Sequence, residues 1–586
     1  MRKAGLFLLV LTLLAASLPQ PAAAQDQNED PPGRVARLNY IQGSLSYQVS
    51  GDQNWIEANP NRPLTTGDNL WADQNSRGEV HIGSTAIRMG SMTGISFLTL
   101  DDRTVQLQLA QGTIEVHLRR LAAGEAFEID TPNLSFTLTR SGEYRMETDP
   151  SGDSTKIIVR EGAGEVVGAG DSWELTPGQA YAFSGKDELT YDAYAAPPFD
   201  DFEDWCQSRD ARENQALSAK YVSRDVDGYY DLDDYGDWSP TPDYGMIWVP
   251  RGVVLGWVPY HYGHWVYIAP WGWTWVDDAP WGFAPFHYGR WVLVGGTWGW
   301  VPGPVVVRPV YAPALVAFVG GGGFSFAVSF GGGFTGVGWF PLGPHDVYVP
   351  GFRCSPRYVQ NINITNTRVV NITQVTNVYN TVVVNRNVTA VNYTYAKNAA
   401  AVTAVPRDTF VSARPVSAAA VRVSSEQIEN VRTMDTAPIA PTRSSYIAST
   451  AKIATTKPAV PFAQRPVVAR LTPAVSHPAP VYTNESRPFN QHPSGQPPNE
   501  NRSNNSNQPQ PSHDGFRPFT PPSGTNATAG SKASDASNNQ SPSVHYTPAP
   551  KARDDMYDVH PPLNENQKPA PPPKQENHKE ESKKQK

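Results

Sequence analysis

Between Val35 and Ser184 apolar and polar residues trade places every second position, in runs of four to six residues that glycine, proline or aspartate interrupts again and again: GEVHIG, TAIRMG, ISFLTL, TVQLQLAQG, TIEVHL, LSFTLT, KIIVREG. An extended chain turns successive side chains to opposite faces, so this period of two specifies half-buried antiparallel strands and leaves almost no room for helix. In Thr104–Leu109, for example, Val105, Leu107 and Leu109 share one face and the intervening polar groups the other. Turn residues every eight to twelve positions then predict an all-β sandwich, roll or barrel over 35–185.

A second constraint comes from aromatic residues. Gly256-Trp-Val-Pro-Tyr-His-Tyr-Gly-His-Trp-Val266 returns as Gly282-Phe-Ala-Pro-Phe-His-Tyr-Gly-Arg-Trp-Val292, twenty-six positions on, and Trp271-Gly-Trp273 returns as Trp298-Gly-Trp300. A tandem repeat of this size is one small β-unit used twice, and Gly295-Gly296 between Arg290–Val294 and Thr297–Val301 supplies the positive φ angles of a tight hairpin. Eleven tryptophans lie between Trp238 and Trp300, more than a half-domain of about eighty residues needs for its core. Two uses compete for them: core rings, or a face of exposed platforms that would stack on sugars or meet a protein. For that face the spacing nominates Trp271, Trp273 and Trp275 on one strand, Trp298 and Trp300 on another, with His261 and His287 as polar partners.

The histidines also raise a zinc question. His261, His264 and His287 would supply three imidazoles, but Arg290 replaces His264 in the second copy and no fourth ligand is evident, so no metal and no cofactor is assigned. The aspartates Asp225, Asp227, Asp231, Asp233 and Asp234 lack calcium-loop spacing and read as turn caps.

The remaining chain is organised by composition. Arg2 and Lys3, an apolar run from Leu6 to Leu14 and the small residues Ala22 to Ala24 predict a cleaved secretory signal over 1–24, hence export to the periplasm or cell surface. Asp200 and Asp201 open the best helix candidate, within Phe199 to Val222. From 304 to 398, glycine-broken apolar segments and then Asn/Thr/Val alternation predict further strands that complete a second domain. From 399 to 586 proline, serine and asparagine dominate, which predicts a disordered tail. The glycine-interrupted run at 308–345 is unsuited to a membrane helix, so no stable transmembrane span is expected in the mature chain. In an oxidising compartment Cys206 and Cys354, the two cysteines, are expected to form a disulfide. A net charge of −8, spread over both signs, gives no field for a nucleic acid.

The order LTTGDNLWADQNSRGEVHIG, LAQGTIEVHL, FEIDTPNLSFTLTRSGEYRMETD, VREGAGEVV and LTPGQAYAF resembles the FecR-type periplasmic domain. That resemblance implies an all-β module, in some members part of a surface signalling system acting on a sigma factor. The stretch PYHYGHWVYIAPWGWTWVDDAPWGFAPFHYGRWV, with YVSRDVDGYYDLDDYGDW before it and WFPLGPHDVYVP after, resembles an uncharacterised bacterial exported domain that often follows a FecR-like module. Catalytic motifs are absent: there is no nucleophile elbow, no Cys-His pair and no phosphate loop. The expectation is a non-enzymatic envelope protein that binds or scaffolds at the wall or surface, with wall polysaccharide or an envelope protein as partner; the alternative is a FecR-like sensory module working through an unidentified partner.

Overall fold

A computed structural model describes residues 30–474, apart from 321–324, 329–331, 369–370, 382–391, 430–431 and 449. The expected leader and the chain from 475 onward lie outside the described residues. Seventeen strands between Ala36 and Ala195 build the first domain, and the strand Thr104–Leu118 is their common axis. Its first half pairs with Thr93–Leu100 and, in parallel, with Ala126–Asp130; its second half pairs with Thr85–Met89 and Gly142–Thr148. The chain changes direction at Gly112, where φ is +91° and a Cβ would stand 2.5 Å from Thr93 Cα, so there is no place for a side chain. The two faces that result close over Leu38, Val80, Ile87, Phe97, Leu107 and Ile129, as the alternation requires.

The helix Asp201–Gln215 (α1) follows. Asp200 caps it by accepting from Phe202 and Glu203 amides at 3.1 and 3.0 Å. Each copy of the repeat then forms one antiparallel hairpin, Gly263–Ile268 with Gly272–Asp277 and Arg290–Val294 with Thr297–Val301. Gly295 and Gly296 take φ of +58° and +84°, the double positive φ of a two-residue hairpin turn. The second hairpin joins Gly236–Thr241 and Gly245–Pro250 in a four-stranded sheet. The glycine-rich stretch supplies Val316–Gly320, Ser325–Val328 and Gly332–Pro341, which are antiparallel neighbours.

Two expectations are corrected here. The Asn/Thr/Val stretch begins as helix, not strand: Pro356–Ile364 is capped by the Ser355 hydroxyl and Ile372–Tyr379 by the Asn371 side chain. Tyr358, Val359, Ile362 and Asn363 are buried, a helical spacing that outweighs β-branched propensity once the caps hold the first turns. Ordered structure also runs past 399. Thr403–Pro406 adds a strand beside Gly332–Pro341, Phe410 enters the aromatic core, and 450–474 crosses the first domain. These short segments need no core of their own because they dock on one already built. Among the described residues no helix is long and apolar enough to cross a membrane.

Candidate functional site

Nine of the eleven tryptophans between Trp238 and Trp300 are less than one-tenth exposed. Trp271, Trp273 and Trp275 stand at 5, 6 and 0% exposure, and Trp298 and Trp300 at 7 and 0%. The proposed platform is therefore core, not surface. Trp265 shows why: its ring lies 5.5 Å from Trp275 of its own hairpin and 5.3 Å from Trp339, 5.2 Å from Phe318 and 5.5 Å from Phe410, the last three drawn from three later segments. Three indole N–H groups are also satisfied internally, Trp273 on the Ile439 carbonyl at 3.1 Å, Trp275 on Asp277 at 3.0 Å and Trp300 on the Tyr288 carbonyl at 2.8 Å, while those of Trp265 and Trp271 form no hydrogen bond with protein atoms.

The polar partners nominated with them are separated. His287 is fully buried with Nδ1 2.8 Å from the Ala312 carbonyl, and burial pushes its pKa down to about 3, so it is neutral. His261 is half-buried, 3.4 Å from the Thr403 hydroxyl, and His264 stands 3.9 Å from Asp278. These three histidines form no shared ligand set among the described residues. Arg290, the counterpart of His264, is a buried clasp: its guanidinium donates to the Gly289 carbonyl at 2.9 Å and to Asn363 at 3.1 Å.

Cys206 and Cys354 are free thiols, which overturns the expected disulfide. The reason lies in α1, which turns its buried face, Phe202, Glu203, Cys206, Asp210 and Glu213, toward the first domain. Cys206 thus faces Glu115 and Arg88, while Cys354 packs beside Val347, Val359 and Val375. Burial raises both thiols, Cys354 to about 12.

That helix face carries the densest ionic network in the described chain. Arg88 holds Asp210 with two bonds, at 2.8 and 3.1 Å, and Glu79 at 2.7 Å. Glu203 receives Arg145 at 3.0 Å and Arg160 at 2.7 Å, Glu213 receives Arg119 at 3.0 Å, and Glu79 receives Arg209 at 2.8 Å. Burial alone would raise Asp210, but His117 and Arg88 outweigh it and hold the carboxyl at about 2. Glu115 has the opposite balance: burial dominates, its Arg88 contact is 3.6 Å, and its carboxyl is lifted to about 7. His117, Glu143 and Asp210 approach one another closely enough to ligate a cation, yet Arg88 and Arg119 already occupy Asp210.

Beside this network, where the two domains meet, lies a cavity of about 190 Å³. Arg34, Arg120 and Arg308 converge on it, matched by Glu125, Asp225 and Asp102. Arg120 reaches Asp225 at 3.1 Å, the Arg308 amide donates to the same carboxylate at 3.0 Å, and Arg308 also pairs with Glu125. Burial, with Arg308 nearby, lowers Arg34 to about 10. Asp227 is 2% exposed with one carboxylate oxygen unpartnered, and burial pushes its pKa well up. The lining holds no histidine, cysteine or lysine. Three guanidinium groups and the carboxyl of Asp227 are its main polar groups. The aspartates read as turn caps are in part that: Asp233 accepts from Leu217 and Ser218 amides. Asp231, however, binds Arg37 at 2.7 Å across the domain boundary, a role that only distant arginines reveal.

A family model described as a family of unknown function (DUF6600) matches residues 229–346, the span that contains both hairpins. Two crystal structures of a protein assigned as an anti-sigma factor from Parabacteroides distasonis ATCC 8503, at 2.50 and 1.65 Å resolution, align at 14 and 15% identity, each with a TM-score of 0.20. Each alignment covers 22% of this chain, and the chain spans about 60% of the length of those structures. No curated protein matches.

Proposed function

We propose that the protein is exported and acts without catalysis, as a rigid envelope scaffold whose β-domains hold a polar recognition cavity at their junction. The observation that carries this reading is the placement of side chains: the five nominated tryptophans and His287 are core, and α1 is fastened to the first domain by buried ion pairs. The cavity offers guanidinium and carboxyl groups but no histidine, cysteine or lysine, which supports binding over turnover. Its arginines suit an acidic group on a wall or surface polysaccharide, or on an envelope protein.

Cell fractionation with N-terminal sequencing tests export: mature protein beginning near Gln25 outside the cytoplasm is expected, and an intact Met1 in the cytoplasm refutes it. Co-sedimentation of the full chain with purified wall material tests the scaffold, with Arg120→Ala expected to weaken it at least threefold. A second reading, a FecR-like sensory module acting on a protein partner, is favoured by the way the chain's own residues 450–474 lie across the first domain. Failure to sediment with wall material, together with cross-linking to one envelope protein, would select it.

A further inference from the structure

The first domain's outer sheet face presents an anomaly that its strand alternation makes visible. On the inner side Phe97, Leu107, Ile129 and Phe136 pair across successive strands as core. On the outer side the same registers align Thr99, Gln106, Glu128 and Thr137 in one row, and Ser96, Gln108, Asp130 and Ser135 in the next. An outward polar row belongs in water, yet Gln106 and Glu128 are 0% exposed. What covers them is residues 462–474, four hundred positions from the start of the domain and extended across its strands.

The coverage has the form of peptide recognition. Phe462 enters a slot with Trp55 at 5.5 Å, edge to face, and with Gly94 as its floor: a Cβ there would stand 2.4 Å from the ring. Arg465 is caged by the carbonyls of Ala110 at 3.2 Å and Pro150 at 2.8 Å, and by the Gln111 side chain. Val468 pairs antiparallel with Thr131, its amide donating to the Thr131 carbonyl at 2.9 Å. Glu128 accepts from the backbone amides of Arg470 and Leu471 at 3.1 and 2.9 Å, and Gln106 donates to the Leu471 carbonyl at 3.0 Å. Main-chain pairing supplies affinity in such sites and side-chain pockets supply selectivity.

The segment covers this face without matching it. Ser96 Oγ, Gln108 Nε2 and Trp71 Nε1, on side chains that are 5, 4 and 2% exposed, form no hydrogen bond with protein atoms. Buried polar groups in folded proteins are nearly always paired, so three orphans beneath one segment mark a face able to bond more than that segment offers.

We infer that the outer face of the first domain is a binding site for an extended peptide, occupied in cis by residues 462–474. Its ligand in trans carries a large aromatic side chain, an arginine three residues later, and free backbone amides eight and nine residues after the aromatic. The cis segment is then a placeholder that such a peptide displaces. This does not depend on export, wall association or the junction cavity.

The test uses the full chain and a fluorescein-labelled peptide spanning residues 460–474, read by anisotropy. Phe462→Ser with Arg465→Ala, which empties the two anchor pockets, is expected to bind the peptide at least tenfold more tightly than wild type. Adding Gly94→Leu, which fills the aromatic slot, is expected to abolish the gain. Two results overturn the inference: no peptide binding although the Val468 and Leu471 amides have become free to exchange, or amides that stay as protected as in wild type after both anchors are removed. If the double variant does not fold, wild type decides. Its Val468 and Leu471 amides are expected to exchange at least tenfold faster than those of Leu107 and Ile129, and equal protection makes the segment an ordinary part of the fold.

Discussion

Trp273→Ala separates a core ring from a surface platform. Trp273 is 6% exposed, its ring lies 4.5 Å from Phe410 and 5.5 Å from Tyr267, and its indole N–H donates to the Ile439 carbonyl. A tryptophan side chain removes roughly 200 Å² from water, which at about 25 cal/mol per Å² amounts to about 5 kcal/mol. Mutational series for large aromatic residues give about 3–5 kcal/mol, and the carbonyl left without its donor places this site toward the upper end. Because total stability is on the order of 5–15 kcal/mol, the variant should lose a third or more of it. Urea unfolding followed by far-UV circular dichroism reads the midpoint at constant slope. Trp273→Phe is the control: it keeps most of the ring contact, gives up the N–H bond, and should cost about 1–2 kcal/mol. Phe410 and Ile439 belong to the chain beyond 399, so hydrogen exchange in that segment should rise along with the loss. A folded Trp273→Ala protein within about 1 kcal/mol of wild type would refute the assignment of the ring to the core.

Other consequences are equally specific. Glu115 has a folded pKa raised from 4.5 to about 7, so between those values the folded chain keeps a proton that the unfolded chain has released, and stability falls as pH rises through that window by about 3 kcal/mol. Glu115→Gln should therefore exceed wild type by about that amount at pH 8 and match it near pH 4.5, whereas parallel pH profiles would show that the carboxyl is not held protonated. Unfolding in urea without reductant should expose two alkylatable thiols, and mass spectrometry finding Cys206 and Cys354 linked would contradict the structure. Asp200→Ala removes two helix-capping bonds and the 2.7 Å contact with Arg145, costing about 1–2 kcal/mol, with Asp200→Asn recovering part; an unchanged midpoint would remove the cap from the account.

What the sequence made legible was local. Val105, Leu107 and Leu109 point inward as their alternation dictates, Gly295-Gly296 turns the hairpin it flanks, and Asp200 starts the helix it was positioned to start. Where local signals compete, strength at the ends of an element decides. Ser355-Pro356 and Asn371 fix helical first turns in a stretch whose valines and threonines favour strands. Long-range pairing was not legible. Glu203, Asp210 and Glu213 resemble a solvated helix face until Arg88, Arg119 and Arg145 are placed opposite them. The aromatic surplus failed for the same reason: counted against about eighty residues, eleven tryptophans exceed a core, but Phe318, Trp339 and Phe410 enlarge that core from outside the repeat. The free cysteines follow from the direction in which α1 faces, which no spacing rule encodes.

The crossing of residues 450–474 over the first domain also sets an order of events in the making of the molecule. Ser46 donates its hydroxyl to the Thr456 carbonyl at 2.6 Å, a contact between residues 410 positions apart. At about 5–20 residues per second, a ribosome needs roughly 20–80 s to travel that distance. Strand pairing within the first domain takes far less time. A molecule that folds as it is made thus passes through a period in which Glu128, Gln106 and the Gly94 slot are built and uncovered while the chain that will cover them is still being synthesised. In such a molecule the first domain must tolerate that bare state, and the face is open to chaperones before its own polypeptide reaches it.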